Sequence, residues 1–216
     1  MLGSAACAPS PGRYASRDAA RREHNVAYEP TTEWPDVIDE AHVMKTAGLD
    51  TPARRLKYFQ LLDSACERGH EASACIEAAV AAPSSARSLL FHGCSIGDAS
   101  ACQALIQVET TGRKASPQEA RAEADRALAL GCATFSGAPC DLREDLDAAM
   151  LHASVVVFGD TDPYMEEAQR AHRLLLGWQE CRDACPMLQD ECRQRCMDAA
   201  RKTCEAQTPR FCGEIK

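Results

Sequence analysis

The sequence predicts an all-α fold, an irregular α/α solenoid of disulfide-stapled helix–turn–helix repeats that ends in a C-terminal cysteine-rich helical hairpin. Cysteine pairs recur eight or nine residues apart around short turns, beginning with the stretch from Cys66 to Cys75. Apolar side chains between the turns recur every three or four residues, which is the period of an amphipathic helix. Because these turn pairs are not spaced like the C-x2-C or C-x4-C pairs of a zinc knuckle, the 13 cysteines favour a disulfide framework over metal binding.

The first 32 residues are interpreted as a flexible N-terminal tether. They are rich in Pro, Ser, Arg and Glu and show no hydrophobic period. Within them, Ser4-Ala5-Ala6-Cys7 resembles the end of a bacterial lipobox, in which a cysteine after small residues is lipidated. Two interpretations stay open: Cys7 is a lipid anchor that tethers the protein to a membrane, or it is a free cysteine. Setting Cys7 apart leaves an even set of twelve cysteines.

Residues 33–160 are predicted to hold the α/α repeats, because helix starts alternate with breaks. Thr51 followed by Pro52 is a helix start, with a capping residue before a proline whose missing N–H costs nothing there. The clearest start is the capping box from Ser116 to Glu119. Gly69 and Pro83 are expected to end the helices that precede them.

The last part of this region is less regular. Cys140 is expected to open one helix that continues through Ala153. The Val-Val-Val-Phe stretch at 155–158 has strand propensity, but it lacks a partner strand and Gly159 follows it, so we interpret it as a buried helix end. Asp162-Pro163 then starts a longer helix, which opens a C-terminal hairpin domain over residues 161–216.

Helical hairpin geometry predicts which cysteines pair. The end of one helix and the start of the next lie within the Cα range of a disulfide, and each such staple stabilises the fold by about 2.5 kcal/mol. If the chain reverses after Cys185, then Cys185 faces Cys192 and Cys181 faces Cys196, although the pairing of these four stays open. The other predicted pairs are Cys66–Cys75, Cys94–Cys102, Cys132–Cys140 and Cys204–Cys212.

No catalytic constellation stands out in the sequence. The stretch 93–97 matches G-x-S-x-G, but a helical segment precedes it and Cys94 is needed for a staple, whereas a nucleophile elbow follows a strand. His92, His152 and His172 fall in helical stretches and are interpreted as packing or surface residues. Metalloprotease, P-loop and dinucleotide-binding motifs are absent from the sequence. We therefore expect no enzyme, no metal site and no cofactor.

Composition also argues against two classes of function, nucleic-acid binding and membrane spanning. The formal net charge of −8 argues against nucleic acid, because phosphate contacts need clustered Lys and Arg. We expect no transmembrane segment, since the sequence lacks a run of about 20 apolar residues.

The pattern Ala53-x4-Tyr58-x6-Ala65-Cys66-x2-Gly69-x5-Cys75 resembles the Sel1-like (TPR-like) repeats of disulfide-rich secreted bacterial proteins. Cys94/Cys102 and Cys132/Cys140 keep the family's seven intervening residues, and Cys66/Cys75 has one more. The repeat starts are 28 and then 38 residues apart, so the array departs from a single period. The resemblance implies a scaffold that presents a concave face to a protein or peptide.

We therefore expect a non-catalytic protein–protein interaction module of the bacterial cell envelope, outside the cytoplasm as a periplasmic, outer-membrane-anchored or secreted protein. One alternative is a structural accessory subunit of a larger envelope or extracellular assembly, with the C-terminal hairpin and Trp178 packed on a neighbouring protein. The second alternative is a cell-wall-related or penicillin-binding enzyme, because some members of the family are described as binding penicillin-like compounds. The S-x-x-K and K-T-G motifs of acylation are missing here.

Overall fold

A computed structural model describes residues 34–185 and 190–214 of the chain. These residues form ten α-helices and two short 3-10 helices and contain no β-strand, which confirms the all-α prediction. Residues 1–33, which include Cys7 and the predicted tether, lie outside the described residues.

The described α-helices range from 7 to 21 residues in length, and the longest is Pro163–Asp183. They are α1 (Trp34–Ala47), α2 (Pro52–Glu67), α3 (Ala72–Ala81), α4 (Ala86–Ser95), α5 (Ala99–Gly112), α6 (Pro117–Phe135), α7 (Ala138–Glu144), α8 (Leu146–His152), α9 (Pro163–Asp183) and α10 (Asp190–Gln207), with 3-10 helices at Pro83–Ser85 and Pro209–Glu214.

Polar side chains start the helices where the sequence predicts. The Thr51 hydroxyl accepts a hydrogen bond from the backbone N–H three residues later, at the start of α2. Ser116 and Glu119 form the capping box of α6. Asp162 accepts a backbone N–H at 2.8 Å at the start of α9. Each side chain supplies an acceptor for an N–H group that has no partner inside its helix.

Six disulfides join the helices in hairpins, with Cα atoms between 4.5 and 5.9 Å apart. They include the nested arrangement of the C-terminal hairpin, in which the outer pair brackets the inner one. The pairs are Cys66–Cys75, Cys94–Cys102, Cys132–Cys140, Cys181–Cys196, Cys185–Cys192 and Cys204–Cys212.

Glycine directly precedes the cysteine in two stapled helices, because a neighbouring helix comes too close for a side chain. A Cβ atom on Gly131 in α6 would lie 1.5 Å from the carbonyl oxygen of Ser95. A Cβ atom on Gly93 in α4 would lie 2.9 Å from the Cβ of Ala101 and 3.3 Å from that of Cys75. The helices therefore meet along glycine next to the staples.

The stretch expected to be one helix from Cys140 to Ala153 is two helices, α7 and α8. Asp145 separates them with φ −135° and ψ 53°, outside the helical region. Its side chain accepts the backbone N–H of Ala148 at 3.3 Å and so caps α8. The single-helix prediction is wrong because apolar spacing continues through a residue that prefers to start a helix.

The Val-Val-Val-Phe stretch is not a buried helix end, so that prediction is also wrong. Residues 154–162 have no regular secondary structure. Val155 and Val157 are 73% and 74% exposed, whereas Val156 and Phe158 pack against the core. This alternation is typical of an extended chain, and consecutive β-branched residues disfavour a helix.

The helices pack on their neighbours in chain order from α1 to α6, and the chain then returns to its beginning. Helix α9 packs against α2, and the 3-10 helix Pro209–Glu214 contacts both of them. Phe211 in this 3-10 helix is 1% exposed and belongs to the same core as Leu62 of α2. The described part from Trp34 onward is therefore a curled array whose end packs on its first stapled hairpin.

Candidate functional site

The twelve cysteines in the described part of the chain form disulfide cross-links, and their burial differs along the chain. The pairs Cys66–Cys75 and Cys94–Cys102 are fully buried in the core. Cys132–Cys140 is half-buried. In the C-terminal hairpin, Cys181–Cys196 and Cys185–Cys192 each join a half-buried cysteine to a buried one.

Two disulfides of the C-terminal hairpin bring their sulfur atoms together. The sulfurs of Cys185, Cys192 and Cys196 all lie within 4.8 Å of one another, and those of Cys185 and Cys196, which belong to different disulfides, are 3.8 Å apart. Among the described residues this is the one group of three or more His, Cys, Asp or Glu close enough to share an ion. Cysteine binds a metal as the thiolate, so these oxidised sulfurs are cross-links rather than ligands.

The G-x-S-x-G match does not form a nucleophile elbow. Cys94 and Ser95 lie inside α4, with a 3-10 turn rather than a strand before the helix. Cys94 is bonded to Cys102, and the Ser95 hydroxyl donates to the carbonyl oxygen of His92 at 2.7 Å. The stretch therefore packs helices together.

The three histidines considered in the sequence lie on different helices. His92 on α4 has its Nε2 atom 3.1 Å from the carbonyl oxygen of Cys66, and His152 is exposed at the end of α8. His172 on α9 is 2% exposed, and its Nε2 atom lies 3.2 Å from Oδ2 of Asp63 on α2. This is an ion-pair distance, although neither ring nitrogen of His172 makes a hydrogen bond.

Buried carboxylates on α9 hold two other segments in place. Glu166 accepts hydrogen bonds from the backbone N–H of Ser84, at 2.9 Å, and from its hydroxyl. Glu167 accepts the backbone N–H of Arg210 at 3.2 Å. Because both carboxylates are less than a tenth exposed, they fix the 3-10 turn after α3 and the C-terminal 3-10 helix onto α9.

Glu77 on α3 joins three helices through one carboxylate. It accepts hydrogen bonds from Tyr58 at 2.8 Å and from Lys45 at 2.9 Å, and it lies 2.7 Å from Nε2 of His42. Burial alone would raise the pKa of Glu77, but the hydrogen bonds from Lys45, Tyr58 and His42 outweigh it and lower that pKa below its ordinary value. Burial, followed by the charge of Glu77, raises the pKa of Tyr58. This cluster is a structural clamp.

Trp178, which the accessory-subunit alternative places against a neighbouring protein, lies partly buried against the chain's own core. Its indole nitrogen is buried without a hydrogen-bond partner. The guanidinium of Arg182 lies 5.1 Å from the centre of one of its rings.

The main exposed apolar feature of the described surface runs from the end of α8 into the extended stretch that follows it, and we call residues 151–158 the 151–158 segment. Leu151 is 83% exposed, and Val155 and Val157 are nearly as exposed. Within the described part of the chain, the backbone N–H and C=O groups of residues 155–160 form no hydrogen bonds. The segment therefore presents both apolar side chains and unpaired backbone groups.

A shallow cleft lies between α2, α9 and the C-terminal 3-10 helix, and we call it the Tyr164 cleft. The guanidinium carbons of Arg55 and Arg210 lie 4.7 and 4.2 Å from the centre of the Tyr164 ring. The sequence did not point to this cleft, because its parts come from three separate regions of the chain. It is lined by Asp50, Pro52, Arg55, Tyr164, Arg210 and Phe211.

None of the described helices combines the length and the apolar character that a membrane span requires. In comparisons with known proteins, no family model, no curated protein and no solved structure matches this chain.

Proposed function

We propose that this protein is a non-catalytic protein–protein interaction module of the bacterial cell envelope, secreted or lipid-anchored. The observation that carries the proposal is the 151–158 segment. A disulfide-stapled helical body holds residues 154–158 of this segment extended on its surface, with Val155 and Val157 exposed.

An extended segment of this kind is suited to strand addition. A partner segment that lies beside it can pair with its free backbone groups, while the valine side chains supply apolar contact and register. Phe158 and Val156 pack against the core and anchor the segment from the other side. The binding face is therefore held in its extended form before a partner arrives, which lowers the entropic cost of binding.

The disulfides support the proposed location outside the cytoplasm. Six disulfides in one small chain are typical of proteins in an oxidising environment, and cytosolic glutathione and thioredoxin keep most thiols reduced. An envelope or extracellular location fits this chemistry. The resemblance to Sel1-like repeats agrees with such a location and with a binding role.

Site-specific photo-crosslinking tests the proposal. A photoreactive phenylalanine analogue would replace Val155 or Val157 in the protein expressed and exported in bacterial cells. Val43 is the matched control, because it is 68% exposed on α1 and lies outside the 151–158 segment. We expect a discrete crosslinked product in the envelope or secreted fraction from positions 155 and 157, and none from position 43.

Equal crosslinking from all three positions, or no product from 155 and 157, would contradict the proposal. A stoichiometric complex that survives purification would instead favour the alternative of a structural accessory subunit.

A further inference from the structure

The Tyr164 cleft is assembled from three parts of the chain that are fixed relative to one another. Pro52 and Arg55 belong to the first turn of α2, and Tyr164 is the second residue of α9. Phe211 anchors the C-terminal 3-10 helix in the core, and Glu167 binds the backbone N–H of Arg210. The cleft is therefore a product of the fold rather than of one mobile loop.

Two guanidinium groups converge on one aromatic ring in this cleft. Both guanidinium carbons lie within the distance at which a cation is attracted to the face of a tyrosine ring. Tyr164 remains 47% exposed, so a ligand can reach the ring and the cations beside it. Stacking on the ring also limits the rotamers of two long side chains, which prepares them to bind.

The positive charge of Arg55 is not neutralised by the rest of the described chain. Its Nε atom donates to the carbonyl oxygen of Leu49, and no described residue forms an ion pair with it. Arg210 forms an ion pair with Glu167, with 3.4 Å between its Nη1 atom and Oε2 of Glu167, but its side chain remains 52% exposed. Asp50 is the acidic residue that lines the cleft, and it forms an ion pair with Arg54 instead, with 3.0 Å between Oδ1 of Asp50 and Nη1 of Arg54.

The ends of two helices add to this positive potential. Helix α2 begins at Pro52 and α9 at Pro163, and both N-termini lie at the cleft. The N-terminus of a helix carries a partial positive charge and favours anions. In a chain with a formal net charge of −8, the cleft brings two guanidinium groups and two helix N-termini together.

We propose that the Tyr164 cleft binds an oxyanion attached to an apolar or aromatic group. Arg55 and Arg210 contact the oxygens, since a guanidinium matches the geometry of a carboxylate or a phosphate. Pro52 and the Tyr164 ring contact the apolar part. Carboxylates and phosphate esters share this chemistry. The site is separate from the 151–158 segment, so its test does not depend on the proposed function.

Titrations of the intact, disulfide-bonded protein test the site, with binding followed by calorimetry and by the shifts of backbone amide NMR signals. The probes are benzoate, phenyl phosphate and the neutral analogue benzamide. We expect both anions to shift signals around Tyr164, and we expect benzamide to bind at least about tenfold more weakly, because it lacks the charge-assisted hydrogen bonds. The anion that binds more tightly shows whether the site prefers a carboxylate or a phosphate ester. Tighter binding of either anion supports the site.

Variants separate the cleft from general surface charge. Arg55→Gln and Arg210→Gln should each weaken benzoate or phenyl phosphate binding by about tenfold or more. Arg182→Gln is the matched control, because Arg182 also stacks on an aromatic ring, that of Trp178, but no second guanidinium from the described part of the chain stacks on that ring. The control should change affinity by less than about twofold.

Three results would overturn the proposal: no binding of either anion at 50 mM or so, benzamide binding as tightly as benzoate, or equal losses for Arg55→Gln and Arg182→Gln. Circular dichroism of each variant checks that it is folded, which is expected because these arginines are partly exposed.

Discussion

The staples around α2 to α5 and those of the α9–α10 hairpin serve helices in two different environments. Cys66–Cys75 and Cys94–Cys102 lie inside a core that already contains Phe59, Leu62 and Leu90. Helix α10, in contrast, buries only Cys196 and Cys204 among its own residues. In the first region the disulfides reinforce packing, and in the second they replace much of it.

This difference shows that one spacing of cysteines can serve two purposes. Short alanine-rich helices are marginal when isolated. The repeat helices gain stability from burial against their neighbours, and the staple adds to it. Helix α10 has little apolar surface to bury, so its position depends on cross-links to α9 and to the C-terminal 3-10 helix.

The largest expected effect on stability comes from a substitution that disrupts the close packing in the repeat region. Gly131→Ala places a Cβ atom against the backbone oxygen of Ser95, which cannot move without shifting α4. We expect a loss of at least about 3 kcal/mol in the free energy of unfolding, or failure to fold. Denaturant unfolding under non-reducing conditions measures it.

Gly177→Ala on α9 is the control for this substitution, because nothing lies within 4 Å of its Cβ position. Alanine there should stabilise the protein by up to about 1 kcal/mol. A similar loss for both variants would contradict the packing argument.

Removing one staple from each region sharpens the comparison. The double change Cys66→Ala and Cys75→Ala should cost about 3 kcal/mol or more, because it removes both a cross-link and buried sulfur atoms. The double change Cys185→Ala and Cys192→Ala should cost about 1 kcal/mol, since the nested Cys181–Cys196 bond still holds the hairpin.

Hydrogen exchange gives a second measure of these two variants. Loss of the inner hairpin staple should increase exchange in α10 while leaving α2 to α5 protected. Equal destabilisation and uniform exchange in both variants would contradict the distinction between the two regions.

A smaller effect on stability is expected at the Glu77 cluster, the structural clamp that holds α1 without a disulfide. Because the pKa of Glu77 is lowered in the folded protein, its charged form stabilises the fold fully above about pH 4.5, and this contribution is lost as the pH falls through the folded-state pKa. Glu77→Gln should therefore cost about 1 kcal/mol at pH 7 and less at pH 3.

Urea unfolding at the two pH values measures the effect of Glu77→Gln. Glu40→Gln on the exposed face of α1 is its control and should change little at either pH. A cost for Glu77→Gln that is unchanged at pH 3 would argue against a role for the charge.

The smallest expected effect on stability comes from limited reduction, which leaves the folded state largely intact. Here the prediction is the order in which the disulfides open. Cys181 and Cys192 are half-buried, whereas Cys66 and Cys94 are 0% exposed. A reductant must reach a sulfur to attack it, so limited reduction followed by alkylation should label Cys132–Cys140 and the C-terminal hairpin before the core staples. Labelling of Cys66 first would show that the core staples are the accessible ones.

Local signals explain which parts of the fold the sequence could predict. The capping box at Ser116, the helix start at Thr51 and the spacing of the cysteine pairs act over a few residues, and all three agree with the structure. The break at Asp145 was missed because the apolar spacing continues through it.

Long-range packing explains what the sequence could not predict. The return of α9 to α2 brings Arg55, Tyr164 and Arg210 together, and no local pattern records that approach. The same holds for the contact between Gly131 and Ser95, although the repeated Gly-Cys pair was a signal for it. The exposure of Val155 depends on how its neighbours pack, which its strand propensity alone does not decide.

Peptide mapping of the native protein without reduction tests the central claim most directly. The protein would be alkylated on isolation from the cells that produce it, digested, and analysed by mass spectrometry. The account predicts six cross-linked peptide pairs that correspond to Cys66–Cys75, Cys94–Cys102, Cys132–Cys140, Cys181–Cys196, Cys185–Cys192 and Cys204–Cys212. Alkylated free thiols at these twelve positions would contradict both the stapled fold and the oxidising compartment.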